Sequence, residues 1–236
     1  MSIRKLKKKI YSLLIQNDFT GGLEAIRRYP PRRVVNPLFS FILSGDELVK
    51  WRAVTAMGAV VADLAANEME SARVVMRRLI WSLNDESGGI GWGSPEAMGE
   101  IMARHHGLAA EYAKIIVSYI QPDGNFIEHE LLQRGVLWGL GRLAHARPRL
   151  VDGAAGFLRP YLESDDPTLR GLAAWTAGGI GDESTAPLLQ RLLNDETTVN
   201  IFLAGRLVAC PVSHLAREAL KPERRTGQKG PFMDGN

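Results

Sequence analysis

The sequence predicts an all-α solenoid, in which about five helical hairpins stack in a row behind an N-terminal capping helix. The first observation behind this prediction is an internal repeat, whose gap-free copies are KWRAVTAMG at 50–58, QRGVLWGLG at 133–141 and RGLAAWTAG at 170–178. In each copy the fourth residue is small or β-branched and the last is glycine. The first interval is more than twice the second, so a diverged copy is expected at 95–108.

The second observation is that an amphipathic segment follows each repeated helix. Apolar residues spaced i, i+3 and i+4, which is typical of one buried helical face, recur at 74–80, 112–119, 157–162 and 188–193. Turn signals separate the segments: SGD at 44–46, QPDG at 121–124, SDDP at 164–167, GD at 181–182 and ND at 194–195. No run alternates polar and apolar residues with β-branched side chains, so no strand is expected. Paired helices of this kind bury their apolar faces only against neighbouring pairs.

Composition places the chain among ordinary globular proteins, with 45% hydrophobic and 23% charged residues. No apolar run is long enough to span a bilayer, and YSLLI near the N-terminus is too short for a secretory signal. The single cysteine, Cys210, excludes a disulfide framework and a cysteine-based zinc site, and we expect it to be buried. We therefore expect a cytoplasmic protein without an integral membrane segment, whose oligomeric state the sequence leaves open.

The net charge of +3 hides an uneven distribution of charged residues. Residues 1–33 contain nine Lys/Arg against two acids, and residues 221–236 contain four against two, so the segment 34–220 is net acidic. Duplex binding depends on neutralising phosphates with basic side chains. The distribution therefore disfavours nucleic acid as the partner, although a basic stripe on an acidic body remains an alternative.

The predicted organisation is one solenoid domain over 1–220, including a helix at 1–17, followed by a disordered basic tail at 221–236. The N-terminal helix has one apolar stripe, made of Ile3, Leu6, Ile10, Leu13 and Leu14. This stripe suits a helix that caps the open end of a solenoid. The alternative is a basic amphipathic helix that lies on an anionic membrane or contacts nucleic acid.

The stretch DDPTLRGLAAWTAGGIGDESTAPLLQRLLND at 165–195 resembles a HEAT repeat of the type named after phycobilisome bilin lyases. The resemblance depends on Asp166, Pro167, Arg170, Ala173, Ala174, Gly181, Asp182, Leu188 and Leu192. It covers roughly 38–195, and the WSLNDESG stretch at 81–88 is similar to one that marks a bacterial HEAT-repeat family. The resemblance implies the fold, and it brings no chromophore pocket or activity with it.

The stretch WSLNDESGGIGWGSPE at 81–96 contains the candidate site. Its segment 84–93 is predicted to be a loop between repeats, with Ser94 and Pro95 starting the next helix. Trp81 and Asp85 fall at i and i+4, which presents an aromatic ring and a carboxylate together. The candidate binding residues are Arg77, Arg78, Trp81, Asp85, Glu86, Trp92 and Glu96. The loop is interpreted either as a shaped connector or as a recognition surface.

The predicted function is a non-catalytic scaffold or adaptor that binds a protein partner through the groove lined by the second helices and through loop 84–93. The alternative is nucleic-acid binding or repair. Alkylpurine DNA glycosylases built from HEAT-like repeats use tryptophans and an aspartate, and Trp81, Asp85 and Arg77 resemble that set. In that case Trp81 and Asp85 would be catalytic. The second helices have few Lys/Arg, which departs from the pattern of a duplex-binding protein.

No cofactor or metal is predicted. Deoxyhypusine hydroxylase, another HEAT-repeat protein, binds two irons through repeated His-Glu pairs, whereas this chain has a single such pair, His129-Glu130. The tryptophans of the repeated helices, Trp138 and Trp175, are expected to pack between adjacent hairpins. Three further side chains, Glu100, Glu111 and Tyr112, are expected on solvated faces.

Overall fold

The computed structural model describes residues 1–83 and 91–221. The chain divides into two compact units, Met1–Leu108 and Ala109–Asn236. The α-helices of the described residues are α1 (Ile3–Ile15), α2 (Phe19–Arg27), α3 (Pro31–Ile42), α4 (Glu47–Asn67), α5 (Met69–Leu83), α6 (Ser94–Arg104), α7 (His106–Ser118), α8 (Glu130–Ala146), α9 (Arg159–Leu162), α10 (Pro167–Ile180), α11 (Ala186–Arg191) and α12 (Val212–Ala219). Short 3-10 helices lie at Pro148–Leu150, Asp152–Phe157, Glu183–Thr185 and Leu192–Asn194. Of the tail expected to be disordered at 221–236, all but Lys221 lies outside the described residues.

The first unit is built around α4, which packs against α3, α5 and α6. This helix begins at the predicted turn, where Asp46 accepts hydrogen bonds from the backbone N–H groups of Leu48 and Val49 at 2.9 and 3.2 Å. Apolar residues cover most of its circumference, which is why it lies in the interior. Gly58 allows α6 to approach closely, because a Cβ there would collide with the side chain of Glu100.

The N-terminal helix α1 packs on α2, α3 and α4. Four residues of its predicted apolar stripe are buried, namely Leu6, Ile10, Leu13 and Leu14. The fifth, Ile3, is 75% exposed, which corrects the predicted stripe at its first position. At the other end of the helix, Arg52 of α4 donates hydrogen bonds to the carbonyl oxygens of Leu14 and Gln16 at 2.7 and 2.8 Å. These bonds satisfy carbonyls that a helix end leaves without partners.

In the second unit, α10 packs between α8 and α12. It begins as the repeat pattern predicts, with Asp166 accepting from the Thr168 N–H at 2.8 Å and Pro167 in the first helical position. It ends at Gly181, whose φ of +76° is the left-handed conformation that glycine adopts freely. Arg170 forms an ion pair of 2.7 Å with Asp195, which ties the start of α10 to the turn that follows α11.

Aromatic side chains fill the interior of the second unit. The rings of Trp138 and Trp175 stack with centroids 6.1 Å apart, and Phe202 lies 6.1 Å from Trp138. Both tryptophans are buried, which confirms that they pack between adjacent helices. Cys210 is also buried, as expected.

The expectation that the chain forms no strand is wrong at 198–211. There β1 (Thr198–Leu203) and β2 (Arg206–Pro211) form an antiparallel hairpin, whose register pairs Leu203 with Arg206. The two turn residues, Ala204 and Gly205, both have positive φ, 47° and 80°, as a two-residue hairpin turn requires. The sequence signal was a short apolar run on either side of Ala-Gly. The indole N–H of Trp138 anchors β1 by donating to the Phe202 carbonyl at 2.9 Å.

Two buried tyrosines of the second unit make its stability sensitive to alkaline pH. Among the described residues, the hydroxyls of Tyr119 and Tyr161 have no hydrogen-bond partner. Burial raises the pKa of each phenol from 10.0 to about 12. The folded state therefore keeps protons that the unfolded chain releases. This contribution to stability is complete below pH 10 and is lost as the pH rises towards 12.

We expect the double variant Tyr119→Phe/Tyr161→Phe to be more stable than the wild type at neutral pH, by about 1 kcal/mol for each tyrosine, because each substitution removes an unpaired buried hydroxyl. The variant should also lose less stability than the wild type between pH 10 and pH 12. Urea unfolding of both proteins across this range measures the difference. Parallel stability curves would contradict the prediction.

Candidate functional site

The last residues of the predicted loop, 91–93, are held in place by the ends of two helices. A Cβ on Gly91 would lie 2.8 Å from the carbonyl oxygen of Ser82, at the end of α5. Gly93 has a φ of +75° and lies against the carbonyl of Ile42, at the end of α3. The hydroxyls of Ser82 and Ser94 are 2.8 Å apart. Glycine at these two positions therefore allows a close approach that sets the position of the residue between them.

That residue is Trp92, and it faces solvent. Its side chain is 41% exposed, and Trp81 in the last turn of α5 is 66% exposed. Within the described residues, neither indole ring stacks on another aromatic ring. Large aromatic side chains are usually buried or engaged by a partner. Two exposed tryptophans at one end of the first unit therefore mark this region as a candidate interaction surface.

A stripe of side chains on α5 extends from Trp81 towards the start of the helix. Val74 and Arg77 are exposed and precede Trp81 by seven and four residues, which places all three on one side of the helix. We call these three residues the α5 face. The Arg77 guanidinium donates to Glu70 at 2.6 Å, and this hydrogen bond lowers the pKa of the Glu70 carboxyl.

Arg78 lies beside the α5 face but contacts α3. Its guanidinium carbon is 3.9 Å from the centroid of the Phe39 ring, and it donates to the Asn36 side chain at 2.6 Å. Stacking on an aromatic ring and a hydrogen bond hold the guanidinium in one orientation. Of the two predicted arginines, Arg77 is therefore the one whose side chain projects from α5, while Arg78 joins α5 to α3.

Glu96 lies in the first turn of α6. Its carboxylate is buried and forms an ion pair of 2.9 Å with Lys50. The other carboxylate oxygen has no partner among the described residues. The Lys50 ammonium also lies over the ring of Trp51, at 5.0 Å from its centroid. Glu96 thus joins α6 to α4 inside the first unit.

The expectation of solvated faces is wrong for Glu100 and Tyr112, which are buried, and correct for Glu111. Glu100 accepts from Arg104 at 2.6 Å. Its burial follows from the close approach of α6 to α4 at Gly58. The sequence has no signal of this burial, because two acids at i and i+4, such as Glu96 and Glu100, are typical of a solvated helical face.

Two predicted site residues, Asp85 and Glu86, lie outside the described residues, as does the first part of loop 84–93. The structure therefore does not place the carboxylate that the glycosylase-like alternative pairs with Trp81. Over 1–83 and 91–221, no group of three or more His, Cys, Asp or Glu side chains could hold a metal ion. In the same ranges no helix is both long and apolar enough to cross a membrane.

Comparison with known proteins places this fold among helical repeats. A family model for HEAT repeats matches residues 128–200. An uncharacterised protein of Archaeoglobus fulgidus is 25% identical over 182 residues, which cover 77% of this chain and 92% of that protein.

Solved structures show the same architecture. An engineered protein superimposes with a TM-score of 0.55 at 17% identity, covering 97% of this chain and 98% of its own. A designed armadillo repeat protein in complex with the peptide (KR)4 superimposes with a TM-score of 0.52 at 15% identity, covering 93% of this chain and 99% of its own. The predicted fold class, an all-α solenoid, is thereby confirmed, and the HEAT-like prediction is supported over 128–200. The bilin-lyase subtype stays a prediction.

Proposed function

We propose that the protein is a non-catalytic scaffold that binds a segment of a partner protein through the α5 face and Trp92. The observation that carries this proposal is the 66% exposure of Trp81 on an ordered helix. Tryptophan and arginine are the side chains that most often dominate the binding energy of protein interfaces. Trp81 and Arg77 are neighbours on the α5 face, so an anchor of both kinds is present at one place.

The spacing of the α5 face suits an elongated partner. Val74 and Trp81 are two helical turns apart, about 10 Å along the axis. A helix or an extended segment laid along α5 would contact both, as in the helix-in-groove and extended-peptide modes of recognition. Trp92 is held by the packing of its two glycine neighbours, so little conformational freedom would be lost when a partner covers it.

The charge of α5 indicates which charge to expect on the partner segment. The helix has three arginines, Arg73, Arg77 and Arg78, and one acid, Glu70. A partner segment with an apolar side chain beside Trp81 and a carboxylate near Arg77 would complement this surface. The designed armadillo repeat protein in complex with (KR)4 binds a basic peptide. The same kind of fold with basic side chains on α5 is expected to select an acidic one.

The experiment compares proteins captured from native-host lysate by the wild type, by Trp81→Ala and by Leu131→Ala. Leu131 is an exposed leucine of α8 in the second unit and serves as the matched control. We expect one captured protein to be lost with Trp81→Ala, with affinity reduced about 30-fold as for a central interface tryptophan. The same protein should be retained by Leu131→Ala. Equal capture by all three would contradict the proposed surface.

The same experiment tests the nucleic-acid alternative. Nucleic acid captured by the wild type and released by moderate salt would favour it, because phosphate contacts make such binding steeply salt-dependent. Trp81 would then stack on a base, and Asp85 would be the residue to replace next. A protein partner held mainly by apolar contact with Trp81 should remain bound under the same conditions.

A further inference from the structure

The outer side of α1 is a concentration of positive charge without counter-charge. Five of the six residues from 4 to 9 are basic, and residues 1–17 contain no acid. Across the described chain, no carboxylate forms an ion pair with Arg4, Lys5, Lys8 or Lys9. Lys7 lies over the ring of Phe41, at 5.6 Å from its centroid.

Two arginines of the neighbouring helices, Arg27 and Arg32, are neutralised by acids. Arg27 pairs with Glu24 at 2.9 Å and with Asp63 at 2.7 Å, and Arg32 pairs with Glu68. These arginines belong to α2 and α3, next to acids of α2 and α4 and the residue that follows α4. Arg27 and Arg32 therefore have acidic partners, whereas Arg4, Lys5, Lys8 and Lys9 of α1 are exposed to solvent.

Apolar side chains stand among these cations. Ile3, Tyr11 and Ile15 are exposed, and together with Lys7 they form a row at intervals of four residues, which turns about 120° around the helix from Ile3 to Ile15. Ile3 is exposed to 75%, more than any other large apolar side chain among the described residues. We call Ile3, Tyr11, Ile15 and the cations Arg4, Lys5, Lys8 and Lys9 the α1 face.

The opposite side of α1 is buried against the rest of the first unit. Its apolar residues pack inside the first unit, so the helix stays attached and presents the α1 face as a fixed surface. A free amphipathic helix would bury its main apolar stripe in lipid. Here only the outer side chains are available to a partner.

We propose that the α1 face binds the surface of a membrane that contains acidic phospholipids. Lipid phosphates complement the lysine and arginine side chains, whose apolar stems reach along a surface while their charges stay hydrated. The isoleucines and the tyrosine would enter the boundary between headgroups and acyl chains, where amphipathic rings and apolar side chains are stable. Binding of this kind is peripheral, reversible and weakened by salt.

A phosphate backbone in nucleic acid would satisfy the same cations, but it offers no apolar phase to the isoleucines. Contacts to nucleic-acid phosphates come from basic and small polar side chains and from backbone N–H groups. The exposed isoleucines at both ends of the α1 face therefore favour lipid over nucleic acid.

The test is flotation of the full chain with phosphatidylcholine vesicles, with and without about 30% phosphatidylglycerol, a content that creates a negative surface potential. We expect binding to the acidic vesicles alone. Lys5→Glu/Lys8→Glu/Lys9→Glu should reduce this binding by more than roughly 100-fold, since each basic residue near an acidic surface contributes about fivefold and each glutamate adds repulsion. Ile3→Ser/Ile15→Ser keeps the charge and should weaken binding several-fold.

The matched control is Lys114→Glu/Arg149→Glu/Arg206→Glu, which makes the same change of net charge at exposed positions of the second unit. It should bind acidic vesicles as the wild type does. Equal loss in both triple variants would show a net-charge effect and overturn the proposal. Absence of binding to acidic vesicles, or binding to a duplex oligonucleotide that exceeds binding to vesicles, would overturn it too.

The α1 face is separate from the α5 face, so the two proposals fail separately. Trp81→Ala should leave vesicle binding unchanged. The triple variant of α1 should still capture the protein partner. Circular dichroism of each variant checks that the helices are retained, so that a loss of binding can be assigned to the surface and not to unfolding.

Discussion

Replacing Lys50 with methionine is expected to lower the free energy of unfolding by about 3 to 5 kcal/mol, the range seen when one member of a buried ion pair is removed. The side chains of Lys50 and Glu96 are only 19% and 5% exposed. Methionine has nearly the shape of lysine, so packing changes little. The cost arises because the Glu96 carboxylate stays buried without its cation.

A double variant separates the charge effect from the packing effect. Lys50→Met/Glu96→Gln removes both charges and should recover much of the lost stability, because an uncharged pair has no uncompensated charge to bury. As a control, Arg159→Met breaks the exposed ion pair with Glu163, whose side chains are 68% and 38% exposed. That variant should change stability by less than about 1 kcal/mol. Urea unfolding measures all four proteins, and equal costs for Lys50→Met and Arg159→Met would refute the prediction.

The stability that Lys50 contributes is expected to decrease at high pH. Burial acts to lower the pKa of the ammonium, but attraction and hydrogen bonding to Glu96, with a smaller effect of Glu47, raise it above 10.5 overall. A raised pKa in the folded state contributes stability below the unfolded value, and that stability is lost as the pH rises through the folded value. The difference in free energy of unfolding between the wild type and Lys50→Met should therefore be constant around neutral pH and become smaller above pH 10.5.

Replacing Trp138 with alanine is also expected to have a large effect, a decrease of about 3 to 5 kcal/mol in the free energy of unfolding. The ring is buried between Trp175 and Phe202, so its removal leaves a cavity in the second unit. The substitution also removes the indole donor from the Phe202 carbonyl. Both consequences concern the contact between α8 and β1, and the hairpin should be the first region to lose protection from amide hydrogen exchange.

Trp138→Phe separates the contribution of apolar packing from that of the hydrogen bond to the Phe202 carbonyl. The phenyl ring keeps most of the apolar contact but cannot donate a hydrogen bond, so a loss of about 1 to 2 kcal/mol is expected. Leu131→Ala in the same helix changes an exposed side chain and should cost less than about 0.5 kcal/mol. If Trp138→Ala costs no more than Leu131→Ala in urea unfolding, the aromatic cluster does not stabilise the second unit.

Helix positions were predictable because they depend on short stretches of chain. Periodic apolar residues, Asp46 before α4 and the Asp166-Pro167 pair before α10 act within one or two turns of their own helix. The repeat of these signals is enough to indicate a solenoid. The fold class therefore followed from the sequence, and the similarity to an engineered protein and to a designed armadillo repeat protein agrees.

The candidate site was predictable only in part. The pattern drew attention to Trp81 and Trp92, which are both exposed, but the spacing of residues does not distinguish an exposed tryptophan from a packed one. Trp138 and Trp81 both lie on α-helices, yet one is 3% and the other 66% exposed. Which face of a helix a neighbour covers depends on residues far along the chain.

Capping, turns and helical period are local properties of the chain, so paired helices could be predicted from the sequence. Packing between distant segments decided which polar groups are buried, as with Glu96 and Glu100, and which apolar groups face solvent, as with Ile3. It also decided that 198–211 forms a hairpin, because those strands are stabilised by the indole of Trp138. Burial is a relation between distant segments, so it becomes visible only when they are packed together.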